Sequence, residues 1–217
     1  MTNSGFTVFL VDDDPGVLKS LTRLLRTRGY EVQAFASSEE FLSRHDPSVP
    51  GCAVVDVAMP GLDGLQLQAA LSAGDLPRPV TFITGVGDIP MSVRAMQAGA
   101  VDFLTKPLND KDLFAAITRA AENDAKARRR QSVLASLNAR LARLTPRERE
   151  VLTYVVAGWL SKQIAFELGT VEKTIKVHRG RMMAKLGVRT VAELMRFVQL
   201  AEIDGAAARG SAREFLG

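Results

Sequence analysis

The chain has 217 residues, of which 47% are hydrophobic and 24% are charged. This composition is ordinary for a globular protein, and the length suits two modest domains better than one. The single cysteine, Cys52, excludes an internal disulfide, and the apolar run from Phe6 to Val11 is too short for a membrane span and lacks the features of a signal peptide. We therefore expect a cytoplasmic protein with no membrane partner.

The net charge of +4 is unevenly distributed along the chain. Residues 1–122 carry 10 Lys and Arg against 15 Asp and Glu, whereas residues 123–217 carry 18 against 9. The two parts therefore have net charges of −5 and +9. A strongly basic part is typical of proteins that bind the phosphate backbone of nucleic acids, although basic surfaces also occur without that role.

In the first 122 residues, short apolar runs alternate with helical patterns. The strands are predicted at Phe6 to Val11, Glu31 to Phe35, Cys52 to Asp56, Pro79 to Thr84 and Val101 to Leu104. Helix starts are indicated by capping residues, prolines or acids at Asp14-Pro15, Ser37-Ser38, Asp63-Gly64, Asp88-Ile89-Pro90 and Asn109-Asp110. This alternation predicts an α/β domain with a parallel sheet and helices on both faces.

From Leu113 onwards a helical pattern continues through the basic cluster Arg128-Arg129-Arg130 to a stripe of leucines at 134, 137, 141 and 144. The stripe fits either a linker helix that docks locally or a short coiled coil, and we favour the linker because the pattern spans only two heptads. Four further helices are predicted near Pro146 to Ala157, Ser161 to Leu168, Glu172 to Leu186 and Val191 to Leu200. The predicted organisation is an α/β domain over 1–122, a helical linker over 123–143, an all-α domain over 144–203 and a disordered tail over 204–217.

Chemically active side chains follow four of the predicted strands. They are Asp12, Asp13 and Asp14 after the first strand, Asp56 at the end of the third, Thr84 at the end of the fourth and Lys106 after the fifth. The carboxyl ends of parallel strands meet at one edge of a sheet, so these residues are expected to form one site. Each has a plain structural interpretation on its own, as a helix cap, a turn residue or a surface lysine, but their joint placement favours a site.

Carboxylates crowded into one site repel one another unless a cation joins them, and Mg²⁺ prefers such oxygen ligands. Asp56 could then act as a nucleophile toward a phosphoryl group, while the metal and Lys106 offset the charge on the transferring oxygens. The sequence therefore predicts an aspartyl phosphate at Asp56.

Four motifs resemble the receiver domain of two-component response regulators, and the stretch 83–107 is most similar to FixJ-type members. The motifs are Val11-Asp12-Asp13, the run from Asp56 to Gly64, Ile83-Thr84-Gly85 and the run from Asp102 to Pro107. The resemblance covers about 120 residues and implies a doubly wound five-stranded sheet in the flavodoxin-like order 2-1-3-4-5. It also implies a sensor histidine kinase as the phosphate donor.

The receiver resemblance assigns roles to individual residues. Mg²⁺ is expected to bind Asp12, Asp13, Asp56 and the backbone carbonyl of Ala58. Thr84 and Lys106 are expected to contact the phosphoryl group, and Phe103 occupies the aromatic switch position without a hydroxyl. Phosphorylation is expected to promote a homodimer through the face formed by residues 89–98, 101–104 and 110–122.

The all-α domain carries the pattern of a helix-turn-helix. A helix begins at Thr145-Pro146, and the pairs Ile164-Ala165 and Leu168-Gly169 precede an apolar stripe that includes Ile175. The second helix of the motif carries Lys173, Lys176, His178, Arg179, Arg181 and Lys185, which can donate to phosphates and base edges. Any one of these could simply belong to a solvated basic face, and His178 is interpreted as structural or phosphate-facing.

The block from Leu144 to Leu200 resembles the LuxR-type helix-turn-helix of FixJ and NarL regulators. The most specific matches are the runs 145–148 and 174–178. The resemblance implies promoter DNA and RNA polymerase as partners. Lys176 and Val177 are expected to face the groove, with Lys162, Thr174 and Arg179 nearer the backbone. Arg181 is a further expected DNA-binding residue.

Two residues of the recognition helix depart from the LuxR pattern. Val171 replaces the usual Ser or Thr cap, although Thr170 offers a cap one residue earlier, and Gly180 lies inside the helix. Each change costs on the order of 1 kcal/mol of helix stability.

Together these features predict a phosphorylation-switched transcription factor rather than an enzyme. A metal-dependent phosphohydrolase is disfavoured because no general base accompanies Asp56 and no substrate-binding insertion is present. A regulator that binds DNA independently of phosphate is the other alternative, which the complete pocket disfavours.

Overall fold

The structure is a computed structural model that describes residues 5–73, 77–85 and 89–209. The chain divides into two compact units, Met1–Arg129 and Arg130–Gly217. Within the described ranges, none of the helices combines the length and hydropathy that crossing a membrane requires.

The first unit contains a five-stranded sheet in which every pairing is parallel. Its strands are β1 (Thr7–Val11), β2 (Glu31–Phe35), β3 (Gly51–Asp56), β4 (Val80–Thr84) and β5 (Asp102–Thr105). The strand order is β2-β1-β3-β4-β5. The predicted fold class and strand order are therefore confirmed, and β3 lies in the centre of the sheet.

Helices cover both faces of this sheet, which explains why β1, β3 and β4 are mainly apolar and are buried along their whole length. The helices begin largely at the predicted capping residues, and Asp14, Ser37 and Asp63 each accept hydrogen bonds from the first turn. The predicted start at Asp88 lies outside the described residues. The helices of the first unit are α1 (Pro15–Thr27), α2 (Ser38–Arg44), α3 (Gly64–Ser72), α4 (Ile89–Gln97) and the start of α5 (Asp110–Ala142).

Two apolar clusters form the core of the first unit, one on each face of the sheet. On one face α2, α3 and α4 contribute side chains such as Phe41, Leu67 and Ala95. On the other face α1 and α5 contribute side chains such as Leu25 and Ile117. Packed side chains thereby cover both faces of the sheet.

Helix α5 is 33 residues long and continues past the predicted end of the first domain at residue 122. In its middle, Arg128 Nε donates to Asp124 Oδ2 at 2.8 Å, and the guanidinium also donates to the carbonyl oxygens of Pro47, Ser48 and Val49 at 2.7 to 3.1 Å. Asp124 is buried. The segment around residues 124–128 is therefore packed as part of the first unit, so the boundary between units divides the predicted 123–143 linker.

The second unit is all helical, with α6 (Pro146–Val156), α7 (Ser161–Glu167), α8 (Glu172–Leu186) and α9 (Val191–Arg209). The end of α5 and the turn after it join the core of this unit, since Leu137 and Leu144 are buried there and Leu141 packs against it. Three leucines of the stripe, at 137, 141 and 144, thus pack within the second unit.

Helix α9 continues nine residues beyond the predicted end at Leu200. Residues 204–209 therefore lie in a helix, where the sequence predicts a disordered tail over 204–217. The run Ala206-Ala207-Ala208 explains the difference, because alanine has the highest intrinsic helix propensity. Residues 210–217 lie outside the described part of the chain.

Candidate functional site: an acidic pocket and a helix-turn-helix

The sheet brings the predicted pocket residues to one edge. Asp12 directly follows β1, Asp56 ends β3, Thr84 ends β4 and Lys106 follows β5. These strands are parallel and β1, β3, β4 and β5 are neighbours in that order, so their carboxyl ends lie side by side. The four side chains come from distant parts of the sequence, but the topology leaves them adjacent.

Lys106 connects the pocket carboxylates directly. Its Nζ atom donates to Asp12 Oδ2 at 2.8 Å and to Asp56 Oδ2 at 3.1 Å. Carboxylate oxygens of Asp12, Asp13 and Asp56 all lie within 4.8 Å of one another. Asp12 and Asp56 are buried whereas Asp13 is exposed, so the cluster opens to solvent on the Asp13 side.

These contacts keep the Lys106 side chain protonated. Burial alone would lower the pKa of the ammonium, but its hydrogen bonds to Asp12 and Asp56 and their negative charges outweigh burial and raise the pKa above its ordinary value. Lys106 is therefore protonated throughout the neutral range, and a cation always faces the two buried carboxylates.

The three consecutive acids after β1 have different roles. Asp14 caps α1 by accepting from the backbone N–H of Gly16 at 2.7 Å, while its own N–H donates to Asp12 Oδ1 at 2.9 Å. The helix-cap interpretation therefore holds for Asp14 alone. Asp12 is oriented by that N–H and by Lys106, and its carboxylate faces the pocket.

Thr84 and Phe103 lie on adjacent strands beside the pocket. Thr84 is 2% exposed, and its carbonyl oxygen accepts from the Lys106 N–H at 2.7 Å. The Phe103 ring is half-buried and lies against Phe82, with 6.2 Å between ring centroids. The predicted switch residue thus packs against a residue two positions before Thr84 on β4.

The donor set fits Mg²⁺. Three carboxylates within 4.8 Å of one another supply hard oxygen ligands, and the exposed Asp13 leaves room for the water that this ion retains. Ala58 follows Asp56 closely, and its N–H donates to Asp56 Oδ1 at 3.4 Å, which keeps the loop after β3 folded over the carboxylate.

In the second unit, α7 and α8 form the predicted helix-turn-helix. Ile164, Ala165 and Ile175 are buried at the crossing of the two helices. The turn contains Gly169 with φ of 60°, a left-handed conformation that glycine adopts without strain. The N-cap of α8 is Val171, and no side chain caps the helix there, so the alternative cap by Thr170 is not observed.

The predicted DNA-binding side chains remain accessible. Lys162, Lys176, Val177 and Arg181 are exposed, and Thr174 and Arg179 are half-buried. Sequence reasoning missed Glu172, whose Oε1 lies 2.8 Å from Lys176 Nζ. Its position four residues before a lysine on a helix was a usable signal.

Lys185 differs from its predicted role as a donor to phosphates. Its Nζ donates to Glu148 Oε2 at 2.5 Å, and Glu148 is buried at the start of α6. Lys185 therefore forms a partly buried ion pair within the second unit.

Comparison with known proteins agrees with this geometry. Residues 8–118 match the response regulator receiver domain, and residues 142–198 match the luxR family of bacterial regulatory proteins. Nodulation protein W of Bradyrhizobium diazoefficiens is 47% identical over 87% of this chain and 83% of its own. This chain is a response regulator with a LuxR-type DNA-binding domain.

Further relatives and solved structures resemble this response regulator along most of its length. Transcriptional regulatory protein FixJ of B. diazoefficiens is 39% identical over 93% of this chain and 98% of its own. The structure of response regulator StyR is 44% identical, covers 90% of this chain and 99% of its own, and has a TM-score of 0.80. Full-length FixJ from B. japonicum is 38% identical, covers 93% of this chain and 99% of its own, and has a TM-score of 0.55. The resemblance noted in the sequence to receiver and LuxR-type domains is confirmed.

Proposed function

We propose that this response regulator accepts a phosphoryl group on Asp56 from a sensor histidine kinase and thereby gains affinity for promoter DNA. The observation that carries the proposal is the contact of one ammonium, Lys106, with two buried carboxylates from different strands, 2.8 Å from Asp12 and 3.1 Å from Asp56. A mere surface lysine would not be held in this way.

In the proposed transfer, an Asp56 carboxylate oxygen attacks the phosphorus atom. The new acyl–O–P bond forms as the P–N bond to the kinase histidine breaks, and the electron pair leaves with the imidazole. Lys106 stays protonated and offsets negative charge on the phosphoryl oxygens. The Thr84 hydroxyl is the proposed donor to one of these oxygens.

Mg²⁺ would be held by Asp12, Asp13, Asp56 and the Ala58 carbonyl, and when bound it neutralises charge on the phosphoryl oxygens. Asp12 is pre-oriented for this role because the Asp14 N–H and Lys106 fix both of its oxygens. Assistance of its own phosphorylation and dephosphorylation by the receiver domain is part of this proposal.

The proposed output begins with a rearrangement of Thr84 and Phe103. Phe103 packs against Phe82. A shift of Thr84 toward a phosphoryl oxygen would alter that packing. The proposed dimer face, residues 89–98, 101–104 and 110–122, already exposes two apolar side chains of α4, since Val93 and Met96 are each 46% exposed. Burial of these side chains in a second copy would favour the phosphorylated homodimer.

The proposed DNA contacts are Lys176 and Val177 in the major groove, with Lys162, Thr174 and Arg179 nearer the phosphates. Arg181 is a further proposed contact. Their support is accessibility on α7 and α8 and the +9 charge of residues 123–217. Contact with RNA polymerase and a cytoplasmic location follow from the same role.

The proposal is tested by treating the wild type and Asp56→Asn with a small phosphodonor and Mg²⁺. We expect the wild type to gain one phosphoryl group in its intact mass, to dimerise in sizing experiments and to bind DNA more tightly. Asp56→Asn should do none of these. Asp46→Asn is a matched control, because Asp46 lies in the exposed loop before β3, at the opposite end of the strand.

A wild type that takes up phosphate without any change in dimer fraction or DNA affinity would refute the switch. Equal DNA affinity of wild type and Asp56→Asn under phosphorylating conditions would instead support phosphate-independent binding. Sustained turnover of a phosphate ester would support the phosphohydrolase alternative.

A further inference from the structure

Gly180 lies in the interior of α8, the recognition helix of the helix-turn-helix. Glycine weakens a helix relative to alanine, because it loses more backbone entropy on folding. The structure of a helix requires glycine only where a side chain would clash or where the backbone adopts a positive φ.

Nothing within the described structure imposes that requirement. A Cβ atom built on Gly180 meets no heavy atom within 4 Å. Its backbone is helical, and Gly180 is not among the glycines with positive φ. Neither packing nor backbone conformation therefore explains the glycine.

Gly180 lies on the side of α8 that faces away from the domain core. The buried face consists of Ile175, Met182 and Leu186, all fully buried. Gly180 follows Lys176 by four residues and Val177 by three, so the three positions are neighbours on one exposed face.

We infer that Gly180 allows the wall of the DNA major groove to approach the recognition helix more closely than a side chain would permit. This inference rests on the proposed DNA-binding role of Lys176 and Val177. A helix with side chains is about 10–12 Å across and the groove is about 12 Å wide, so clearance is small. Val177 has a short side chain, so its proposed contact with base edges requires a deeply inserted helix. Gly180 is thus a positioning residue for sequence recognition.

The test uses the full-length chain with phosphodonor and Mg²⁺ and a DNA duplex that the wild type enriches from a random pool. Gly180→Ala should raise the melting midpoint of the second unit by about 4 °C, because alanine favours the helix. It should nevertheless weaken binding to the selected duplex by about tenfold or more, the effect of losing one or more base contacts. Stability and affinity should therefore change in opposite directions.

Ala184→Gly is the matched control, because Ala184 is exposed on the same helix one turn further along. It should lower the melting midpoint but change DNA affinity by less than about twofold, since no bulk is added. The double variant Gly180→Ala/Ala184→Gly should return the melting midpoint toward the wild type and retain the weakened binding.

Binding of Gly180→Ala to the selected duplex as tightly as the wild type would overturn the inference and leave the proposed function intact. A loss of affinity in Ala184→Gly as large as in Gly180→Ala would also overturn it, because DNA binding would then not depend on bulk at position 180. Failure of the wild type to enrich any sequence would overturn the proposed function itself, and the inference with it.

Discussion

The ion pair between Glu148 and Lys185 is buried unevenly, and we predict that its two halves contribute unequally to stability. The Glu148 side chain is 3% exposed and the Lys185 side chain is 30% exposed. Glu148 also accepts a hydrogen bond from the Thr145 N–H at 2.8 Å, which completes a capping box at the start of α6. The carboxylate is almost completely shielded from water, whereas the ammonium is partly exposed.

This difference in exposure determines how much stability each variant is expected to lose. Lys185→Met keeps the aliphatic stem but leaves a buried carboxylate without its cation, and removing one partner of a buried pair costs about 3 kcal/mol or more. Glu148→Gln keeps the oxygen that accepts from Thr145, and Lys185 can turn toward water. We expect this variant to lose about 1 kcal/mol. The double variant should recover most of the stability lost in Lys185→Met, because no buried charge remains.

Urea unfolding followed by tryptophan fluorescence measures these changes. Trp159 is the single tryptophan of the chain, and its ring lies 5.0 Å from the Tyr154 ring in the second unit. The signal therefore reports the unit that contains the ion pair. Glu172→Gln, which breaks an exposed helix pair with Lys176, is the control and should leave the midpoint nearly unchanged.

The same ion pair should make the stability of the second unit depend on pH. The hydrogen bond from Lys185, followed by that from the Thr145 N–H, lowers the pKa of Glu148 below its usual 4.5. The unfolded chain then binds more protons than the folded one in this range, so the stabilisation is present above pH 4.5 and is lost as the pH falls through the lower folded pKa. The stability difference between wild type and Glu148→Gln should shrink as the pH falls through this range.

A smaller loss of stability in Lys185→Met than in Glu148→Gln would refute this account of the ion pair. The absence of recovery in the double variant would also refute it.

Two further predictions concern the first unit. Lys106→Met removes a positive charge from the pocket carboxylates and should tighten Mg²⁺ binding about tenfold, measured by calorimetric titration; unchanged or weaker binding would contradict the electrostatic account. Arg128→Ala leaves the buried Asp124 without its partner and should destabilise the first unit by about 2–4 kcal/mol in unfolding followed by circular dichroism, whereas the exposed Arg129→Ala should have little effect. An equal loss in both arginine variants, or a shift in the Trp159 transition alone, would argue against the Arg128 contacts as the cause.

The acidic pocket could be predicted from the sequence because its members follow strands. Once the runs ending at Val11, Asp56 and Thr84 are recognised as parallel strands, topology alone brings the following residues together. The contact of Lys106 with both Asp12 and Asp56 was within reach of this reasoning. The different roles of Asp12 and Asp14 could not be predicted from the sequence, because they depend on which backbone N–H groups each carboxylate contacts.

The helical parts were harder to predict in detail. A continuous helical pattern runs through residues 110–142, so periodicity alone does not show that Arg128 packs with the first unit and Leu137 with the second. The role of Lys185 was missed because its partner Glu148 lies 37 residues earlier, on another helix. Long-range pairs of this kind leave no periodic signal in one helix.

The order of the strands along the chain also bears on how the receiver domain assembles during synthesis. β1 and β3 are neighbours, so Asp12 and Asp56 can come together as soon as residue 56 has left the ribosome. The compensating ammonium follows 50 residues later. In a nascent chain that stops short of β5, Lys106 is missing, and we expect repulsion between the carboxylates of Asp12 and Asp56 to oppose their approach. We expect completion of the sheet to coincide with the arrival of Lys106 beside Asp12 and Asp56.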